Sequence, residues 1–290
     1  MRFLLFLLLL LSAALACAAV SPGQIENVQR LLRDHRVSEA GAAANALVAA
    51  NPTAAEAYAL LASVAVATGD PDAAVAAAEK AVELAPASGD YQRQLGDAYG
   101  FAAQKAGLLS KMGWAKKCGA AYEKAVALDP ANVGARSSLM GYYQNAPRMM
   151  GGGMEKAYAQ AEEIKKLDAN RGHLAYAALY AADKKFDLAL AEFDEVLKVS
   201  PDDYAALYQV GKLAAVSGQS LDRGLASLRR CLELPVPDAL NTPSHAAAQW
   251  RIGNILEKKS DPAGARTAYE AALQLDPKFT QAAEALKKLK

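Results

Sequence analysis

Three histidines and two cysteines within the main part of the chain are the residues best suited to metal binding or catalysis. His35, His173 and His245 are far apart in the sequence, without a carboxylate or cysteine at a spacing typical of metal ligands. Cys118 and Cys231 occupy positions where small packing residues recur, so we interpret both as core thiols. The sequence therefore predicts no metal site and no cofactor.

Two further motifs could do chemistry but have simpler interpretations. Asp202 and Asp203 follow a proline at the expected start of a helix, where acidic residues cap the helix and complement its dipole. The triple glycine Gly151–Gly153 precedes a helix whose N-terminus could bind an anion, but Pro147 favours a flexible turn there. No glycine-rich nucleotide loop follows a strand. We expect a protein that is not an enzyme.

The overall composition favours helices and disfavours nucleic acid as a partner. Of 290 residues, 53% are apolar and 7% aromatic, and alanine is abundant. No run of β-branched residues alternates with period two, as strands would require. The formal charge is +1, from 32 basic and 31 acidic residues, whereas a groove for nucleic acid needs a clear basic excess.

Residues 1–19 have the features of a signal peptide. Arg2 precedes the apolar run Phe3–Leu11, and the small residues of ALACAA follow. Three outcomes are open: cleavage near Ala16 to Ala19 yields a periplasmic or secreted protein, lipidation of Cys17 yields a membrane-anchored lipoprotein, or the segment remains as an anchor. Each exports the rest of the chain, in which we expect no further membrane span.

Small, large and proline residues recur at fixed spacing through residues 21–290. One copy reads, in order, Tyr58, Leu61, Ala62, Ala65, Ala74, Ala78, Ala81 and Pro86. The corresponding residues of a later copy are Gln249, Ile252, Gly253, Leu256, Ala265, Tyr269, Ala272 and Pro277. This spacing resembles the tetratricopeptide repeat, in which a large residue, L-G and Y precede A-x3-F and a closing P. With weaker copies, we count about seven repeats.

The resemblance implies an all-α fold, an α-solenoid (superhelix) of antiparallel helix hairpins with a C-terminal capping helix at Lys278–Lys290. Small residues let the two helices of a hairpin approach closely, and large residues fill the spaces between hairpins. In the turns TGDP (68–71) and KSDP (259–262), Asp suits the helix N-cap and Pro the first helical turn. One hairpin cannot bury its apolar face alone, so the repeats must stack.

Two segments depart from the regular repeat. The third hairpin, residues 89–130, is ten residues longer than one period, and we expect it to present Met112 and Trp114 beyond its neighbours as a second contact site. The fourth repeat contains a glycine-rich insert at residues 145–154.

In the tetratricopeptide repeat family, the concave groove formed by the first helices receives a protein or peptide ligand. The positions of this sequence that match that face are Arg93, Asp97, Tyr208, Lys212, Trp250, Asn254 and Glu257. The middle repeats contribute mainly alanine there, including Ala178 and Ala181, which leaves room for a bound segment.

We therefore expect a non-catalytic scaffold or adaptor of the cell envelope or secretory compartment that binds a protein or peptide. Two alternatives stay open. The chain could be a structural subunit of a larger envelope assembly without an exchangeable ligand, or an enzyme or helical-repeat RNA reader. The RNA reader would need a basic groove, and the balanced charge does not supply one.

Overall fold

The computed structural model describes residues 20–238 and 242–289, so the expected signal peptide and Cys17 lie outside the described residues. Within these ranges the chain forms α-helices, one short 3-10 helix at Arg148–Met150 and no strand. In chain order the helices are α1 (Pro22–Arg33), α2 (Val37–Ala50), α3 (Ala55–Thr68), α4 (Pro71–Leu84), α5 (Gly89–Lys105), α6 (Leu108–Leu128), α7 (Val133–Asn145), α8 (Met154–Leu167), α9 (Ala169–Ala182), α10 (Phe186–Val199), α11 (Tyr204–Ser217), α12 (Leu221–Glu233), α13 (His245–Lys258), α14 (Pro262–Leu275) and α15 (Thr280–Lys288).

In the described part of the chain, consecutive helices pair into seven hairpins, from α1–α2 to α13–α14, and each hairpin packs against the next. The final helix α15 packs on α14 and buries Ala282 at the end of the stack. The all-α solenoid that the sequence predicts is thus confirmed. None of the described helices is long and apolar enough to span a bilayer.

The turns within the hairpins follow from their residues. Gly69 ends α3 with φ 83°, a left-handed conformation that glycine adopts without strain, and the Asp70 carboxylate accepts the backbone N–H of Ala73 at 3.0 Å. In the last hairpin, Asp261 accepts the N–H of Gly264 at 2.9 Å in the same way. Both caps are the ones predicted from TGDP and KSDP.

The contacts between helices are made by alanine and glycine on one side and by large side chains on the other. Ala74, Ala78 and Ala81 of α4 are buried, and Ala74 has no exposed surface. On α5, a Cβ built at Gly96 would lie 2.5 Å from the ring of Tyr122 on α6. Small residues at these positions therefore set the distance between the helices of a hairpin.

The third hairpin has the longest described helices, 17 residues in α5 and 21 in α6. The other hairpin helices have 12 to 14 residues. The end of α5 and the start of α6 consequently extend past the regular stack.

Candidate functional site

The first helices of the hairpins (α1, α3, α5, α7, α9, α11 and α13) form one face of the solenoid, which we call the first-helix face. Among the grooves on the described part of this face are two of similar volume. The central groove lies between α9 and α11, and the N-terminal groove lies between α1, α3 and α5.

The central groove has a volume of about 550 Å³ and a mostly apolar lining. Its lining residues are Leu174, Ala177, Ala178, Ala181, Phe186, Phe193, Ala205, Gln209, Lys212, Leu213 and Val216. Phe193 of α10 is buried at 5% exposure, whereas Val216 of α11 is 57% exposed. An apolar surface therefore continues from the core to the solvent.

The groove exists because two neighbouring first helices stand apart. α11 packs closely against α13, but α9 and α11 do not make comparable contact. On α9 the facing residues Ala178 and Ala181 are too short to fill the space, as the sequence suggested. Of the described lining residues, Lys212 is the one that carries a charge, and it is exposed. The site can therefore hold an apolar segment beside one cation.

The N-terminal groove is of similar volume, about 570 Å³, and more polar at one wall. Arg93 Nη1 lies 2.7 Å from Asp97 Oδ2, and the hydroxyl of Tyr122 donates to Asp97 Oδ1 at 2.7 Å. Burial raises the pKa of the Asp97 carboxyl, an effect that the hydrogen bond from Tyr122 and the charge of Arg93 oppose. Arg93 and Asp97 thus line a groove, but each already has a partner within the chain.

The structure corrects the expectation for Tyr208. Its side chain is 7% exposed and belongs to the apolar cluster that includes Leu225 of α12 and Ile252 of α13. Because α11 packs against both its hairpin partner α12 and the next first helix α13, nine of its 14 residues are buried. The face predicted to be open at Tyr208 is therefore covered by α13.

Trp250 also packs within the fold. Its ring meets that of Phe279 edge-on, with centroids 5.9 Å apart, and the Arg251 guanidinium carbon lies 4.0 Å from its centroid. Asn254 Nδ2 donates to the Tyr269 hydroxyl at 2.9 Å, and that hydroxyl donates to Glu257 at 2.6 Å. The side chains of these α13 residues therefore contact α14 and the residue that precedes α15. They line neither groove.

At the long third hairpin the two predicted contact residues, Met112 and Trp114, differ in how far their side chains are exposed. Met112 is 41% exposed. Trp114 is half-buried, because its ring stacks on Tyr99 at 5.7 Å and an angle of 29°. Lys117 Nζ lies 4.6 Å from the centroid of the Trp114 ring. Trp114 therefore anchors the base of the extension and does not project from it.

The glycine-rich insert is a turn whose backbone donors are used internally. The N–H groups of Gly151, Gly152 and Gly153 donate to carbonyl oxygens of Arg148, Pro147 and Tyr143, at 2.9, 3.2 and 2.7 Å in that order. A Cβ at Gly152 would lie 1.9 Å from the carbonyl oxygen of Ala146. The glycines are thus required by the close turn, and their amides do not point at an anion.

The described residues offer little for catalysis. His173 Nδ1 lies 2.6 Å from Glu192, and His245 Nε2 lies 2.9 Å from the Leu234 carbonyl. No group of histidine, cysteine and acidic residues in the described ranges could hold a metal ion. Cys118 and Cys231 are buried and unbridged, as expected for core thiols, and burial raises their pKa values to about 11 and about 12.

Sequence reasoning missed the aromatic wall of the central groove. Phe186 and Phe193 of α10 form this wall, and neither is among the groove residues expected from the sequence. A possible signal was the pair of aromatic residues seven apart on α10, two helical turns, which places them on one face.

Comparisons with known proteins agree with this architecture. A family model described as tetratricopeptide repeat matches residues 55–88 and 99–132, and a second model with that description matches residues 246–279. A tetratricopeptide repeat protein from Parabacteroides merdae is similar in structure, with a TM-score of 0.59, 15% identity, and coverage of 91% of this chain and 96% of that chain. No curated protein sequence matches significantly.

Two further solved structures share the fold. Pseudomonas aeruginosa pilF has a TM-score of 0.54 and 16% identity, over 81% of this chain and 97% of that chain. Yeast Tom70 has a TM-score of 0.60 and 19% identity, over 88% of this chain and 51% of that chain. At such identities the similarity concerns the fold alone.

Proposed function

Because this chain is a tetratricopeptide repeat protein, we propose that it is a non-catalytic scaffold that binds an apolar segment of a partner protein in the central groove. The observation that carries this proposal is the open, apolar space between α9 and α11. Water in such a groove is released when an apolar segment enters, and each buried methylene contributes about 0.8 kcal/mol.

The residues of the groove define the chemistry of the segment. Phe186, Leu213 and Val216 offer apolar contacts, and Gln209 can donate to or accept from a backbone. The exposed Lys212 favours a segment that carries a carboxylate beside its apolar residues. A strongly basic or fully polar segment is disfavoured by the same residues.

Binding to the central groove can be tested with a single blocking substitution. The full chain is used to select apolar and acidic–apolar peptides from a random library, and fluorescence anisotropy then gives their Kd values. Ala178→Arg fills the groove and should weaken binding at least about tenfold, equivalent to about 1.4 kcal/mol. Ala76→Arg, on the exposed side of α4, is the matched control. Equal affinities of the two variants would place the binding site elsewhere.

We further propose that the scaffold acts outside the cytoplasm, as a periplasmic or secreted protein. The basis is the sequence of residues 1–19 alone. Mass analysis of the chain recovered from cells should give a new N-terminus between Cys17 and Val20. A diacylglycerol on Cys17 would instead assign a membrane-anchored lipoprotein, and an unprocessed chain in the cytoplasm would contradict export.

A further inference from the structure

The extension of the third hairpin has an unusual surface. We call residues 104–117, the end of α5 and the start of α6, the basic tip. Since α6 is seven or more residues longer than the helices of other hairpins, its first seven residues project about 10 Å beyond them, at 1.5 Å per residue.

Charge is segregated at the basic tip. It contains Lys105, Lys111, Lys116 and Lys117, and no acidic residue occurs between Asp97 and Glu123. The remainder of the chain has a small excess of acidic residues. None of the ion pairs found in the described residues involves these four lysines. Lys105 Nζ lies 5.7 Å from the centroid of Phe101, and Lys117 Nζ lies over two further rings, but these contacts do not neutralise the charge. The positive charge of the tip is therefore not balanced by a carboxylate in the described part of the chain.

Apolar side chains lie among these lysines on the outer face of α6. Leu109 is 96% exposed and Met112 is 41% exposed. Spacings of three and four residues place both on the same helical face as Lys116, whereas Cys118 on the opposite face is buried. The tip is consequently amphipathic toward the solvent, with cations flanking an exposed leucine.

Ring stacking and cation–π contacts join the two helices of the basic tip. Trp114 stacks on Tyr99, and Lys117 Nζ lies 4.6 and 5.3 Å from the centroids of these two rings. The ends of the two helices are thereby held together, so the lysines are displayed by ordered helix and little conformational entropy is lost when they bind.

From this arrangement we propose that the basic tip docks on a bilayer containing anionic lipids. Leu109 and Met112 enter the boundary between headgroups and acyl chains, while Lys116 on the same face pairs with a lipid phosphate. The exposed Lys105 and Lys111 lie away from that face and add to the attraction of the tip toward the anionic surface. Clustered lysines next to exposed apolar side chains are the combination that such surfaces attract. A nucleic acid would leave Leu109 without an apolar contact. The proposal does not depend on the central groove.

The test measures binding of the full chain to vesicles by co-sedimentation. One preparation is phosphatidylcholine alone, and the other is phosphatidylcholine with an equal amount of phosphatidylglycerol. All variants keep residues 1–19, so differences between variants arise elsewhere. We expect tighter binding to the anionic vesicles, and a decline when salt screens the charges. A tip variant with Lys105, Lys111 and Lys116 all changed to Gln should lose at least about tenfold in affinity for them.

The matched control changes Lys258, Lys278 and Lys287 to Gln, which removes the same charge from exposed sites away from the tip. It should retain nearly the affinity of the unmodified chain. Leu109→Ser should weaken binding with no change in net charge. If the tip and control variants bind alike, or if the unmodified chain does not distinguish the vesicles, the proposal is wrong. Lysine-dependent binding of polyglutamate without discrimination between vesicles would assign an acidic protein partner instead.

Discussion

Gly253 of α13 and Tyr269 of α14 meet so closely that a Cβ on the glycine would lie 2.2 Å from the tyrosine ring. Tyr269 has no exposed surface, and its hydroxyl donates to Glu257 at 2.6 Å. The same relationship holds between Gly96 and Tyr122 in the third hairpin. Glycine on the first helix of a hairpin thus leaves space for a tyrosine ring of the second helix. The tyrosine hydroxyl then donates a hydrogen bond to a carboxylate on the first helix.

Gly253→Ala should destabilise the fold, although alanine is the better helix former. The gain in helix propensity is about 1 kcal/mol, whereas overpacking against the buried ring costs about 1–3 kcal/mol. Gly113→Ala on α6 is the matched control, since nothing lies within 4 Å of its Cβ position. It should stabilise by about 0.5–1 kcal/mol. Urea denaturation of both variants gives the comparison, and a stabilised Gly253→Ala would show that Tyr269 can move.

Ala74→Leu should cost about 1–3 kcal/mol, because the added atoms force α3 and α4 apart. Ala74 has no exposed surface and lies in the same cluster as Ala62 and Ala65 of α3. The neighbouring Ala73 is exposed, so Ala73→Leu should change the free energy of unfolding by less than about 0.5 kcal/mol. Similar unfolding midpoints for both variants would mean that Ala74 does not set the helix spacing.

The sequence was sufficient for the fold because the repeat is local. Asp70 and Asp261 each cap a helix of their own hairpin, and the alanines of α4 pack against the other helix of the same hairpin. Their spacing in the sequence can therefore be recognised without knowing how neighbouring hairpins pack. The burial of the Tyr208 side chain could not be predicted in this way, because it depends on how closely α13 packs against α11. The central groove likewise arises from a wider separation of α9 and α11, which is a property of the stack and of no single repeat.

The stability of the protein should depend on the ionisation of Asp97. Burial raises the folded-state pKa of this carboxyl above its usual 3.8, so the unfolded chain releases the proton at lower pH. As the pH rises from 3.8 through the raised folded-state pKa, the folded protein must hold a partly buried charged carboxylate. The free energy of unfolding therefore falls over that pH range. Asp97→Asn can still accept the Tyr122 hydroxyl, and its stability relative to the unmodified chain should be greater at about pH 7 than at about pH 3. A pH-independent difference in urea denaturation would contradict the assignment.

Cys118 and Cys231 should resist alkylation in the folded protein. Both are buried, and their raised pKa values of about 11 and about 12 keep the thiolate scarce at neutral pH. Iodoacetamide should modify both only after denaturation, as measured by peptide mass mapping. Helices of several repeats separate the two residues, so a non-reducing map should show no disulfide between them. Rapid labelling of either thiol in the native state would indicate local opening of its hairpin.

Trp250→Ala should affect the end of the solenoid before it affects ligand binding. The Trp250 ring packs on Phe279, the residue that precedes α15, and α15 buries Ala282 against the preceding hairpin. Removal of this contact should weaken the docking of α15 while distant repeats remain intact, because each repeat depends mainly on its neighbours. Amide hydrogen exchange should therefore accelerate at Thr280–Lys288 and stay unchanged in α3 and α4. Phe279→Ala should give the same pattern, since it removes the other half of the pair. If either variant instead lost peptide affinity with unchanged exchange in α15, Trp250 would belong to a binding surface after all.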